Sequence, residues 1–290
     1  MEEGSTKNFM DGHDFGIAQN WSCFLVDNGS LSPVSVKQQR GMACSLGALL
    51  GVPVHPVGLK HSYRVSPSEL DGFPGEGLEM ALERFLGFPG RQDVVVVPQF
   101  FGPSLAVTKE IPGILEGFRG RTRGNGVRLA FGECLYRPDD GSARVLAGII
   151  YWRVMEAVGK LKGAGLPRVA LVDHGSAVEG VNDARRAVAR ELGAMLGGKA
   201  GAVVDCSMEL PSGGSCDATL LADVLEQGHA GETVVVAKMF FASGRHACPG
   251  GDVDQICEGH SKGDWVCTEP IGNHPYLARL LAWRAMGATG

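Results

Sequence analysis

Val169-Ala-Leu-Val-Asp-His-Gly-Ser176 is an apolar run of four residues that stops abruptly at Asp173, His174 and Gly175. Four apolar residues in succession read as a strand buried on both faces, as in parallel α/β sheets. His174 then falls at the carboxyl end of that strand, the edge where open α/β sheets bind their ligands. A neutral imidazole there is a good metal ligand. A second stretch, Thr233-Val-Val-Val-Ala-Lys-Met-Phe-Phe-Ala-Ser-Gly-Arg-His246, repeats the grammar: a buried strand, a small-residue turn, and a histidine beyond the strand end. Either histidine alone reads as an ordinary loop residue. Their matching positions predict that both converge on one cleft.

Working outward, the C-terminal half alternates strand and helix four times. Strand 168–173 precedes helix 181–196, strand 201–206 precedes helix 217–227, strand 233–238 precedes a short helix near 252–258, and strand 264–268 leads to helix 275–286. The N-terminal half has the same order: strands 22–27, 52–57, 93–98 and 127–131, with helices 36–50, 77–88, a short one at 111–117 limited by Pro112, and 143–161. This predicts two parallel four-stranded sheets, each with helices on both faces and a cleft between the lobes. Residues 1–20 read as a polar leader, 21–150 as the first lobe and 151–290 as the second.

The halves also match residue by residue. Phe24-Leu-Val-Asp-Asn-Gly-Ser30 aligns with Ala170-Leu-Val-Asp-His-Gly-Ser176, and Val94–Phe101 with Val234–Phe241. Tyr151-Trp-Arg153 matches Ala282-Trp-Arg284. Three matches in one order indicate an internal duplication. They differ where chemistry would be done: Asn28 stands opposite His174, and Ala106 opposite His246. The first lobe therefore reads as a scaffold without the ligand histidines.

Composition narrows the function class. Hydrophobic residues make up 44% of the 290, enough for a sizeable core, and the net charge is -5, which argues against nucleic acid as a partner. No apolar run reaches the ~20 residues needed to cross a bilayer, so the reading is cytoplasmic with no membrane partner. The eight cysteines form no C-x-x-C pair, so neither a zinc ribbon nor an iron–sulfur set is indicated. The Ser212–Ser215 loop is glycine-rich but lacks the Lys-Ser/Thr of a phosphate loop.

Asp-His-Gly-Ser176 after a strand, Met208-Glu-Leu210 after the next, Phe240-Phe-Ala-Ser-Gly-Arg-His246 and the closing Pro270-Ile-Gly-Asn-His-Pro-Tyr276 together resemble the class II chelatases of tetrapyrrole biosynthesis. The closest group is the sirohydrochlorin cobalt and iron chelatases. The resemblance implies an ATP-independent lyase that inserts Co, Fe or Ni, with Zn a further candidate ligand, into a tetrapyrrole. His174 and His246 would hold the metal and Glu209 would match the family's acidic residue. The substrate carries carboxylates, so Arg245, Lys238 and Arg185 are candidate anchors. The loop after His246, Ala-Cys-Pro-Gly-Gly-Asp252, departs from the family in length and contains Cys248. Self-association is left open.

Plainer readings stand beside these. Asp173 is expected to cap the turn after it, Ser176 to act as an N-cap, and Phe240 and Phe241 to be core. His61 reads as a loop residue and His274 as the start of the last helix. A phosphohistidine transferase also uses a strand-end His-Gly, but Asp173 here would repel phosphate. A chelatase-fold enzyme with another substrate and a non-catalytic metal or tetrapyrrole carrier are the alternatives.

Overall fold

The structure is a computed structural model that describes residues 21–87, 93–123, 127–161, 166–210, 219–229 and 231–289. The leader and the Ser212–Ser215 loop lie outside these ranges. Eight strands form two all-parallel sheets. The first, in the order β2-β1-β3-β4, contains β1 Trp21–Asp27, β2 Val54–Gly58, β3 Asp93–Pro98 and β4 Leu129–Phe131. The second, β6-β5-β7-β8, contains β5 Arg168–Asp173, β6 Val203–Ser207, β7 Thr233–Lys238 and β8 Asp264–Cys267. The helices are α1 Pro33–Leu50, α2 Leu78–Gly87, α3 Ile111–Arg123, α4 Ser142–Val158, α5 Glu179–Leu196, α6 Leu221–Glu226, α7 Asp252–His260 and α8 Pro275–Thr289. The two-lobed parallel α/β architecture read from the sequence is the architecture observed.

Period-two side-chain alternation explains why the strands are apolar throughout. Cys23 and Leu25 of β1 face the central core, while Phe24 and Val26 face α2 and α3 on the outside. In the second sheet Val169 and Leu171 join the same central core, and Ala170 and Val172 pack with α6 and α7. Some boundaries differ from expectation. Helix α3 runs past the predicted Gly117 because Pro112 lies in its first turn, where a missing N–H costs nothing. A π-helical turn, Ala106–Glu110, precedes it.

The chain halves exchange their last helices. Helix α4, which follows the first sheet, packs on α5 and β7 of the second half. Helix α8 packs on α1, β3 and β4 of the first. A cut at residue 150 falls inside α4, so the packing units are not the two continuous chain halves. The repeated Trp-Arg motif secures the exchange. Arg284 donates to the Leu135 carbonyl and pairs with Asp140 at 2.7 Å. At the matching place Arg153 donates to the Ile271 carbonyl at 3.4 Å.

The segments that leave the carboxyl ends of β3 and β7 meet each other. Phe101, just past β3, stacks on Phe241, just past β7, with ring centroids 4.0 Å apart and planes 8° from parallel. These are equivalent positions of the duplication, so the approximate two-fold axis passes between the rings. Phe241 is thus both core-packed and stacked. A double-mutant cycle on Phe101→Ala and Phe241→Ala is expected to yield a coupling of about 0.5–1.5 kcal/mol in chemical denaturation. Strict additivity would mean that the stacking contributes nothing.

Candidate metal site

Both histidines stand on short turns at the carboxyl edge of the second sheet. Gly175 permits the first turn: its φ is +97°, and a Cβ there would meet the Glu209 carbonyl oxygen at 2.2 Å. The Asp173 carboxylate accepts the Gly175 N–H at 3.0 Å, the turn-capping role expected of it. Ser176 is not the N-cap. Its hydroxyl accepts the Val178 N–H at 3.1 Å, and α5 starts one residue later.

The structure brings His174, His246 and Glu209 together. The imidazole rings of His174 and His246 lie 4.8 Å apart, centroid to centroid, at 82°. Glu209 Oε1 is 3.4 Å from His174 Nε2, close enough to couple charges but long for a hydrogen bond. Asp252 Oδ2 lies 2.7 Å from His246 Nδ1. A carboxylate there holds Nδ1 as the donor and leaves Nε2 with its lone pair for an ion, an arrangement common behind metal-bound histidines. Two nitrogens binding one ion at 2.0–2.2 Å with tetrahedral angles stand about 3.4 Å apart, a separation that rings this close can reach. Among the described residues no three His, Cys, Asp or Glu side chains close into a metal cage.

Sequence reasoning missed Asp252 as a partner. It sits in the first turn of α7, where an acidic residue reads simply as favourable to the helix dipole. Cys248 does not join the pair; its Sγ turns back to the Arg245 carbonyl at 3.6 Å.

Of the three candidate anchors, only Arg245 is well exposed, with its Nε 3.3 Å from Asp252. Arg185 and Lys238 must be corrected. Arg185 is fully buried, with Nη1 2.8 Å from Asp173 and Nε 3.2 Å from Asp205. Burial opposes its charge, but the two carboxylates more than offset that and raise its pKa. Lys238, 4% exposed, pairs with Asp254 at 2.7 Å and donates to the Ala247 carbonyl at 3.2 Å. Burial works against the Asp254 carboxylate, yet the Lys238 ammonium and the Gly250 N–H hold its pKa below the ordinary range. Neither cation can reach a ligand in the cleft. Each instead braces one histidine turn from beneath, Arg185 through Asp173 and Lys238 through the loop after His246.

The first half keeps the frame without the chemistry. Asp27 accepts the Gly29 N–H at 2.8 Å, as Asp173 does for Gly175. Backbone bonds place Lys60 where the other half has Glu209, and Lys60 pairs with Glu110 at 3.0 Å. Ala106 opens the π-helical turn where His246 would be. His61 lies in the next turn with φ +66°. His274 starts α8 as expected, its Nδ1 accepting the Tyr276 N–H at 3.3 Å. Gln39 occupies the place of Arg185 and donates to the Leu25 and Val57 carbonyls.

Asp27 thus lacks the cation its counterpart has, and burial pushes its carboxyl from 3.8 up to about 6. A pKa raised on folding contributes stability in acid that is lost as pH rises through about 6. Asp27→Asn keeps the acceptor for Gly29. It is expected to stabilise the protein by about 1–3 kcal/mol at pH 8 and by almost nothing below pH of about 4. Thermal melts at the two pH values check this, and an equal shift at both would refute it.

No protein-family model matches the sequence, and no curated protein resembles it in sequence. Solved structures do resemble it. SirB from Bacillus subtilis, determined with Fe3+, superposes with a TM-score of 0.64 at 16% identity, covering 93% of this chain and 96% of that one. DR2241 from Deinococcus radiodurans, described as multi-domain with structural similarity to chelatases and two additional novel domains, gives a TM-score of 0.52 at 19% identity. It matches 91% of this chain, which spans about half of that protein, 54%. At these identities the likeness establishes architecture: the chain has the two-lobed fold of the chelatases, with the paired imidazoles at the strand ends of its second sheet.

Proposed function

We propose that this protein is an ATP-independent chelatase that inserts a divalent metal ion, Co, Fe or Ni, into a tetrapyrrole in the cytoplasm. The observation that carries the reading is the imidazole pair 4.8 Å apart on a chelatase fold. That SirB was determined with Fe3+ supports metal as the cargo of such a fold. No helix among the described residues is long and apolar enough to cross a membrane.

Each residue has a task that its position suits. His174 and His246 take a hydrated ion and exchange its waters, imidazole being suited to Co, Ni, Fe and Zn. Metal insertion releases two pyrrole protons, and Glu209, 3.4 Å from His174 and exposed, accepts them one after the other and passes each to water. Asp252 holds the His246 tautomer, and Arg245 meets a substrate carboxylate. The first lobe closes the cleft as a scaffold and binds no metal itself.

The test is titration of metal-free macrocycle with Co2+, with and without protein. Catalytic turnover supports insertion. A single stoichiometric event makes the protein a carrier, and metal binding with no macrocycle chemistry leaves a chelatase-fold enzyme with another substrate. Glu209→Gln separates roles within the site: turnover should fall while metal affinity is largely kept, and an equal loss of both would make Glu209 a ligand.

A further inference from the structure

The charge of the strand-end rim speaks to the substrate. Eight segments leave the carboxyl ends of the strands, and their described residues are 28–32, 59–77, 99–110, 132–141, 174–178, 208–210 with 219–220, 239–251 and 268–274. Together these described residues include nine acidic and five basic ones. Among the described residues, the histidine-bearing half carries Glu209 and Glu269 there against Arg245 alone. Lys60, Arg137 and Arg245 pair with Glu110, Glu133 and Asp252, and Asp71, Glu76 and Asp140 pair with Lys37, Arg84 and Arg284 from outside the rim, so the balance rests on Glu69, Asp139, Glu209 and Glu269 against Arg64 and Lys109. The two cations that might have met more carboxylates, Arg185 and Lys238, are buried in their own ion pairs. Such a rim concentrates cations and repels polyanions.

The same segments expose large apolar side chains: Leu31 at 62%, Leu105 at 52% and Leu210 at 51%. Their loops border the histidines. A Cβ on Gly244, two residues before His246, would lie 3.1 Å from Ser35 Oγ, so the first turn of α1, four residues after Leu31, abuts the His246 turn. A Cβ on Gly102 would lie 3.0 Å from Val181 Cα, which sets the loop of Leu105 against the start of α5, just after the His174 turn. Leu210 follows Glu209 directly. Apolar contact and a scarcity of free cations thus surround the pair.

We infer that the macrocycle taken here is sparsely carboxylated, with an apolar edge seated on Leu31, Leu105 and Leu210 and its few carboxylates gathered toward Arg245. The inference rests on the insertion reading and narrows its substrate class away from octacarboxylates. The negative rim then serves the other substrate, drawing the hydrated cation toward the imidazoles.

Three metal-free porphyrins of one ring size make the test: mesoporphyrin with two carboxylates, coproporphyrin with four and uroporphyrin with eight. Binding to the full chain is followed by absorbance, and Co2+ insertion is followed separately. Affinity should rise as carboxylates are removed, with uroporphyrin at least tenfold weaker than mesoporphyrin. The exposed substitutions Leu31→Asp and Leu105→Asp should each weaken mesoporphyrin binding several-fold. Uroporphyrin bound as tightly as mesoporphyrin, binding of none of the three, or unchanged affinity in both leucine variants would overturn the inference. Uroporphyrin bound and metallated leaves insertion standing without it. Mesoporphyrin bound most tightly but left unmetallated by Co2+, Fe2+ and Ni2+ alike keeps the substrate class and removes the insertion reading.

Discussion

His174→Ala and His246→Ala are each expected to lower the affinity for Co2+ by about 100-fold or more while leaving the fold intact. Both rings stand on turns at the sheet edge, His174 half-exposed, and neither supports the core. With two imidazoles facing each other at 4.8 Å, loss of one leaves a single nitrogen and water. Removing the partner behind a ligand typically costs 10–100-fold, so Asp252→Asn should fall between wild type and His246→Ala. Acidification should weaken binding in the wild type, because protons and metal compete for the same nitrogens. Isothermal titration with Co2+, alongside circular dichroism to confirm the fold, checks all three variants. Wild-type affinity in both histidine variants would end the metal-site assignment.

Arg185→Gln is expected to destabilise the protein by about 3–5 kcal/mol, the usual effect of removing one partner of a buried ion pair. The substitution strands Asp173, whose pKa burial pushes up and which Arg185 partly pulls back. Glutamine is what the first half carries at the equivalent place, where it binds backbone carbonyls. Adding Asp173→Asn removes the stranded charge, so the double variant should recover most of the lost stability. Its metal affinity should stay reduced, because the His174 turn loses its charged brace. A destabilised single variant with wild-type affinity per folded molecule would make the ion pair purely structural. Chemical denaturation and metal titration on both variants distinguish the cases.

That brace occurs only in the half that bears the histidines. Asp173–Arg185–Asp205 and Lys238–Asp254 lie under the two imidazole turns, while Gln39 and Pro98 take the cation positions in the other half. Buried ion pairs are a poor source of stability but hold geometry when well hydrogen-bonded. Their placement is what a two-ligand site needs, since two rings must keep their spacing without a third ligand to enforce it.

The sequence by itself determined the strands, their order, the duplication and the two histidines at strand ends. These properties are written in short-range pattern. A strand buried on both faces must be apolar at every position, as in Val94–Val97 and Val169–Val172, and a glycine with positive φ must follow where the chain turns at Gly29 and Gly175. Tertiary structure alone decided which long side chains reach the cleft. Arg185 lies on a helix of mixed charge and Lys238 closes a strand; from sequence each reads as a candidate anchor for a substrate carboxylate, and only partners 12 and 16 residues away show them buried. Asp252 likewise reads as a helix-start residue until His246 is found beside it. The exchange of α4 and α8 left no local trace either, because the apolar stripe of a helix is the same whichever sheet it covers.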